Sequence, residues 1–253
     1  MSDAAFKTLR LELPGALEAD PFAALSEGVD FMDLGKGRVG THLVEPGERG
    51  VPLVRTTARY TRAPSRFSPA HREVAATLEE ATGAPEFNNA LIEVYDRGYT
   101  KMGYHSDLAL DLEAGSFIAL YSCYARPADR AGWRALEVKA KEDGARTSIV
   151  LEHGSVVLFS LEANAAHTHR IVLGQRARQE PENRWLGLTL RRSGTWVRHE
   201  GGQVLFADGA PLTLAEGEDA ETFYRLRGRE NREQGFVWPR MDVTLSEADL
   251  MVC

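Results

Sequence analysis

The segment richest in chemistry is His105-Ser-Asp107. In an extended chain, residues two apart project on the same face, so this imidazole and carboxylate can grip one ion together. A third ligand is available far downstream in Ala166-His167-Thr-His169-Arg-Ile-Val, where His167 and His169 share one face of the expected strand. Two imidazoles and one carboxylate on one side of a metal leave its opposite positions open, as a non-haem Fe(II) centre needs in order to admit reactants. A bare His-x-Asp with a distant His recurs by chance, so its weight depends on what surrounds it. The run Trp185-Leu-Gly-Leu-Thr-Leu-Arg191 supplies that context. Its alternation sends Leu186, Leu188 and Leu190 to one face and Trp185, Gly187, Thr189 and Arg191 to the other. With the leucines in a core, Arg191 points inward, and a buried guanidinium calls for an anion such as a dicarboxylate cosubstrate.

The elements that must position these residues are mostly strands. Short runs rich in β-branched and aromatic residues fall at 90–95, 116–122, 146–151, 155–159, 170–173 and 184–190, separated by turn residues. Without long helices between them, they suggest a sandwich or barrel, not a parallel sheet with crossover helices. Leu9-Arg-Leu11-Glu-Leu13 reads as an N-terminal strand, and Ser68-Pro-Ala-His71 opens a helix that closes at Gly83. Beyond residue 200, Asp208-Gly209 marks a hairpin within 203–214, and a helix is expected from about Glu218 to Glu233. The fold class is therefore α+β, mainly β. The expected organisation is one catalytic domain over 1–253, with 1–85 as N-terminal support and a lid, 86–200 as the core, and 201–253 as a C-terminal hairpin-helix extension.

The 253 residues are 43% hydrophobic and 26% charged, a globular composition that excludes disordered, collagenous and coiled-coil classes. No apolar stretch is long enough to span a membrane. The opening residues lack the pattern of a signal peptide, and the two cysteines, Cys123 and Cys253, make no disulfide framework, so a cytoplasmic monomer is expected. A net charge of −7 excludes a globally basic nucleic-acid binder but leaves room for a local groove. Only five of the 30 Lys plus Arg residues are lysine, so any single arginine carries little weight.

The pattern as a whole resembles the AlkB-like Fe(II)/2-oxoglutarate dioxygenases. The resemblance runs through Phe87-Asn88-Asn-Ala-Leu91-Ile92-Glu-Val-Tyr95, Gly98, Met102-Gly103-Tyr-His105-Ser-Asp107, Ile118-Ala-Leu-Tyr-Ser122, Leu151-Glu-His153-Gly154-Ser155, His169 and Leu188-Thr189-Leu190-Arg191. It implies a double-stranded β-helix (jelly-roll) core, with iron on His105, Asp107 and His169. It also implies 2-oxoglutarate on Tyr95 and Arg191, with O2 as the second cosubstrate. His169 is preferred to His167 because the family's distal histidine directly precedes one residue and then Ile or Leu, as in His169-Arg170-Ile171.

Three positions depart from the family. Glu93 replaces an asparagine, and an acid beside a dicarboxylate must turn away or be paired, for instance with an arginine. Trp185 stands where a second cosubstrate arginine is expected, and Arg184, one residue off, reaches the site only if a bulge restores the register. Tyr124 replaces a glycine and would narrow the cavity. The family's best-known substrates are alkylated bases, which are flipped into the pocket. Arg55 to Phe67 and the helix carrying Arg225, Arg227, Arg229 and Arg232 are the candidate nucleic-acid surfaces, although such stretches are more often solvated faces. The alternatives are a small-molecule or protein side-chain hydroxylase, a metal-dependent isomerase or hydrolase of cupin type, and a non-catalytic cupin-like binding protein. The triad together with Arg191 argues against the last.

Overall fold

Alternation on successive strands builds the main sheet of this computed structural model, which describes residues 5–174 and 182–253. Its order is β1 (Phe6–Arg10), β10 (Ser155–Ser160), β7 (Phe117–Tyr124), β12 (Trp185–Arg191), β6 (Asn89–Tyr95), β3 (Arg38–Val44) and β2 (Met32–Asp33), with β5 (Ser65–Arg66) beside β3. A second sheet runs β11 (His167–Leu173), β8 (Arg134–Ala140), β9 (Arg146–Leu151). A third runs β14 (Gln203–Phe206), β13 (Thr195–Glu200), β4 (Val51–Leu53). β15 (Thr213–Leu214) and β16 (Val243–Thr244) form a short parallel pair, and β5 is parallel to β3; the other ladders are antiparallel. The fold is mainly β, with helices α1 (Gly15–Ala19), α2 (Pro21–Ser26), α3 (Pro69–Thr82), α4 (Leu161–Ala166) and α5 (Gly217–Glu230). None of the described helices is long and apolar enough to cross a membrane.

The two faces of the main sheet have different partners. Ala90, Ile92 and Val94 of β6 and Leu186, Leu188 and Leu190 of β12 pack with Val74, Ala75 and Leu78 of α3. That helix begins where the Ser68 hydroxyl accepts from His71 N and ends at Gly83, whose φ of 67° suits a residue without Cβ. The His71 ring is buried and donates through Nε2 to Leu25 O at 3.0 Å, tying α2 to α3. On the opposite face, Tyr95, Ile118, Leu120 and Trp185 meet Leu136, Val138 and Ile171 of the second sheet. The functional cavity opens between these two sheets.

Several elements differ from the sequence reading, and the N-terminal strand runs over Phe6–Arg10, not from Leu9 to Leu13. β8 was not anticipated, because Arg134-Ala-Leu-Glu-Val-Lys-Ala140 carries three charges and becomes a strand only by pairing with β9 and β11 on its two edges. His105-Ser-Asp107 is not a strand; a single antiparallel bridge joins His105 to His169, and the chain then leaves the sheet. The expected turn does form at Asp208-Gly209, and Leu205 bridges Pro211, but the returning arm then leaves its partner and pairs with β16.

Candidate metal and cosubstrate site

The bridge between His105 and His169 places two candidate metal ligands side by side, with His105 N donating to His169 O at 3.0 Å and His169 N to His105 O at 2.7 Å. The candidate ligand atoms of His105, Asp107 and His169 all lie within 4.8 Å of one another. Asp107 Oδ1 is 3.2 Å from His169 Nε2 and 3.9 Å from His105 Nε2. His105 Nδ1 donates to Gly103 O at 3.0 Å, which fixes the tautomer and leaves Nε2 free to coordinate. Asn164 brackets Asp107 from α4, accepting from its N–H at 2.7 Å and donating to its carbonyl at 2.8 Å. Burial, and then the neighbouring His169, push the His105 imidazole down to about 4. Burial would raise the Asp107 carboxyl, but the hydrogen bond from His169 and the charges of His169 and Arg191 hold it below the carboxylate range. Both shifts favour the deprotonated forms that bind metal.

His167 is absent from this cluster. It caps α4, donates through Nδ1 to Ala163 O at 2.8 Å and meets the Phe6 ring edge-on at 5.4 Å.

The cavity beside the triad has a volume of about 460 Å³ and includes Tyr95, Glu93 and Arg191 in its walls. Arg191 is 3% exposed, its Nε has no partner, and its one side-chain hydrogen bond among the described residues is a long 3.5 Å approach of Nη2 to Asn89 Oδ1. Burial lowers its pKa, with Asp107 the leading charge acting in the other direction. A buried cation with an orphaned Nε donor beside a His-Asp-His set fits a dicarboxylate that also reaches the metal.

Glu93 does not turn away from the cavity. Its Oε2 accepts from Tyr95 OH at 2.6 Å and its Oε1 from Arg38 Nε at 2.6 Å, with Arg38 Nη2 also in contact. Arg38 stands opposite Tyr95 in the ladder and Gly40 stands opposite Glu93; a Cβ at Gly40 would lie only 3.1 Å from Glu93 Cγ. The acid is therefore neutralised by a cation from the adjacent strand.

Arg184 is not brought to the site. Its guanidinium lies over the Phe22 ring at 5.2 Å, outside the cavity. The register of β12 is unbroken from Trp185 opposite Tyr95 to Arg191 opposite Asn89, so Arg184 falls out of phase with Arg191. Trp185 itself fills that part of the wall, with its ring centroid 4.8 Å from that of Tyr95 and its indole over Gly187. Tyr124 does not line the cavity. Its hydroxyl donates to Leu151 O and accepts from Arg134 N, both at 2.7 Å, so it braces the wall instead of narrowing the space.

Two of the eight arginines in the basic stretches, Arg55 and Arg227, are buried within the fold, while Arg59, Arg62, Arg66, Arg225, Arg229 and Arg232 are exposed. Arg55 is buried, donating to Asp111 through Nε and Nη2 at 2.9 and 2.7 Å and through Nη1 to the carbonyls of Met241 and Val243. Arg62 pairs with Asp30, Arg227 with Glu230, and Arg229 with Glu233. Arg227, which lines the cavity, was read only as part of a basic helix. No local pattern marks it, since it reaches the site from the far end of the chain.

Residues 36–191 match the model of the 2OG-Fe(II) oxygenase superfamily. The chain belongs to that superfamily, whose members use Fe(II), 2-oxoglutarate and O2. Among solved structures it is similar to OsALKBH1, at 17% identity and a TM-score of 0.49, over 74% of this chain and 98% of that one. It is also similar to a Pseudomonas putida prolyl-4-hydroxylase, at 13% identity and a TM-score of 0.46, over 76% of this chain and 95% of that one. No curated protein matches the sequence significantly.

Proposed function

We propose that this chain is an AlkB-like dioxygenase on a double-stranded β-helix, hydroxylating a small molecule or a single protruding group. The observation that carries the reading is the buried, anion-seeking Arg191 in the same cavity as His105, Asp107 and His169. Those three residues would hold Fe(II), which with 2-oxoglutarate and O2 supplies oxidation of a substrate C–H bond as 2-oxoglutarate leaves as succinate and CO2. Arg191 would pair with a cosubstrate carboxylate, and Tyr95, whose hydroxyl donates to Glu93 in the structure, would have to turn that proton from Glu93 to bond a cosubstrate oxygen. Leu120, Leu136 and Ile171 form an apolar wall that excludes water from the reacting carbon. Hydroxylation of an N-methyl carbon would be followed by loss of formaldehyde, giving net demethylation.

Burial of Arg55 and Arg227 in ion pairs takes two arginines out of the candidate nucleic-acid surfaces and, with the net charge of −7, favours a small substrate over a nucleic acid. The whole of 1–253 would act as one catalytic unit. Anaerobic titration with Fe(II) and 2-oxoglutarate tests the site: a weak visible charge-transfer band is expected from wild type and none from His105→Ala or Asp107→Ala. A substrate panel coupled to succinate release then tests the class. Turnover confined to alkylated oligonucleotides, with binding that weakens by about 0.9 log units per neutralised phosphate per decade of salt on duplex, would replace the small-substrate reading.

A further inference from the structure

The three backbone positions from His105 to Asp107 have every hydrogen-bonding group engaged, and the two groups of Ser106 are held from outside the family match. His105 is bridged to His169 through both N–H and C=O, and Asp107 is bracketed by Asn164. Ser106 between them is fully buried. Its hydroxyl donates to His167 O at 2.7 Å. Its backbone instead meets the C-terminal helix: Asn231 Oδ1 accepts from Ser106 N at 2.9 Å, and Arg227 Nη2 donates to Ser106 O.

Glu230 extends the same grip. Its Oε2 accepts from Arg227 Nη1, while its Oε1 accepts from Ala109 N at 2.9 Å and from the Trp238 indole at 2.8 Å. Lys141 Nζ donates to Glu230 O at 2.6 Å, tying the end of α5 to the second sheet. Leu108 packs in one cluster with Phe223 and Leu245. Arg227, Glu230 and Asn231 all lie beyond residue 191, where the family match ends.

We propose that Arg227, Glu230 and Asn231 form a brace that positions the ligand loop 105–109, with Arg227 as its principal positioning residue. The inference rests on the reading that His105 and Asp107 hold the metal. Because the His-x-Asp segment has only one bridge to a sheet, α5 supplies the rigidity that a strand would otherwise provide. Partners that orient metal ligands typically carry about 10–100-fold in metal affinity.

The test is anaerobic titration of the full chain with Co(II), reading the visible d–d bands and the Kd, beside steady-state kinetics with Fe(II). Arg227→Met is expected to raise the Co(II) Kd by about 10–100-fold and to alter the band envelope. Arg227→Lys, which keeps one donor but not the fork, is expected to recover part of the affinity. Arg229→Met, on the solvent side, where the guanidinium pairs with Glu233 and lies over the Phe236 ring, is expected to match wild type. A folded Arg227→Met with unchanged Kd and spectrum overturns the brace. If Arg227→Met does not fold, Asn231→Ala, which removes one acceptor, decides the matter: a several-fold weaker Kd supports the brace and an unchanged Kd overturns it. His105→Ala separates the two claims. Retained Co(II) binding in that variant refutes the metal-site reading itself, whereas its loss alongside an unaffected Arg227→Met and Asn231→Ala refutes the brace alone.

Discussion

Replacing Arg191 with methionine removes a buried cation but leaves a side chain of similar length in the wall. In the cosubstrate-free protein that cation is poorly compensated, with an orphaned Nε and one long contact to Asn89. Its removal is therefore expected not to lower the melting temperature. With 2-oxoglutarate bound, the same substitution deletes one partner of a buried charge pair, at a cost of about 3–5 kcal/mol. At roughly 1.4 kcal/mol per decade, the Kd for 2-oxoglutarate rises between about 100-fold and a few thousand-fold. Anaerobic titration of the charge-transfer band measures that Kd directly. Thermal unfolding gives a second readout: at 1,000 times the wild-type Kd the cosubstrate stabilises wild type by about 4 kcal/mol and should stabilise the variant far less. A Kd within about threefold of wild type would refute the assignment, since no exposed ion pair or lost packing contact produces the expected loss.

His169→Ala is expected to abolish iron-dependent succinate release, while His167→Ala retains it; the reverse result in coupled assays identifies the other histidine as the ligand. Asp111→Asn breaks the buried bidentate pair with Arg55, at a cost of about 3–5 kcal/mol. At about 2–4 °C per kcal/mol for a chain of this size, calorimetry should show Tm lowered by roughly 6–20 °C. Asp249 supplies a pH test: burial pushes its carboxyl up to about 7, so its folded pKa lies above its unfolded value. Its stabilising contribution is complete below about pH 4 and is lost as pH rises through about 7. Asp249→Asn should therefore flatten the fall in denaturation free energy between about pH 4 and 7, and an unchanged pH profile would count against it.

Strict alternation made β12 legible, because a strand has only two faces and three leucines occupied one of them. The same rule placed Arg191 inward and Arg184 outward once the register proved continuous. Pairing between distant segments was harder to read. Nothing near Glu93 announces Arg38, which arrives from β3. Arg55 looked like part of a basic surface because its partner, Asp111, and the carbonyls of Met241 and Val243 come together only in the folded chain. His105-Ser-Asp107 had the spacing of a strand but keeps its geometry through side-chain caps from α4 and α5.

The indole of Trp185 lies over Gly187, where an added Cβ would overlap the ring. Positions 185 and 187 are therefore open to substitution in only one order. With the indole in this position glycine is required at 187, and a larger residue there must follow or accompany removal of the indole. A library that randomises 187 while Trp185 is kept would spend most of its members on side chains that overlap the indole, so the pair is best varied as a single unit.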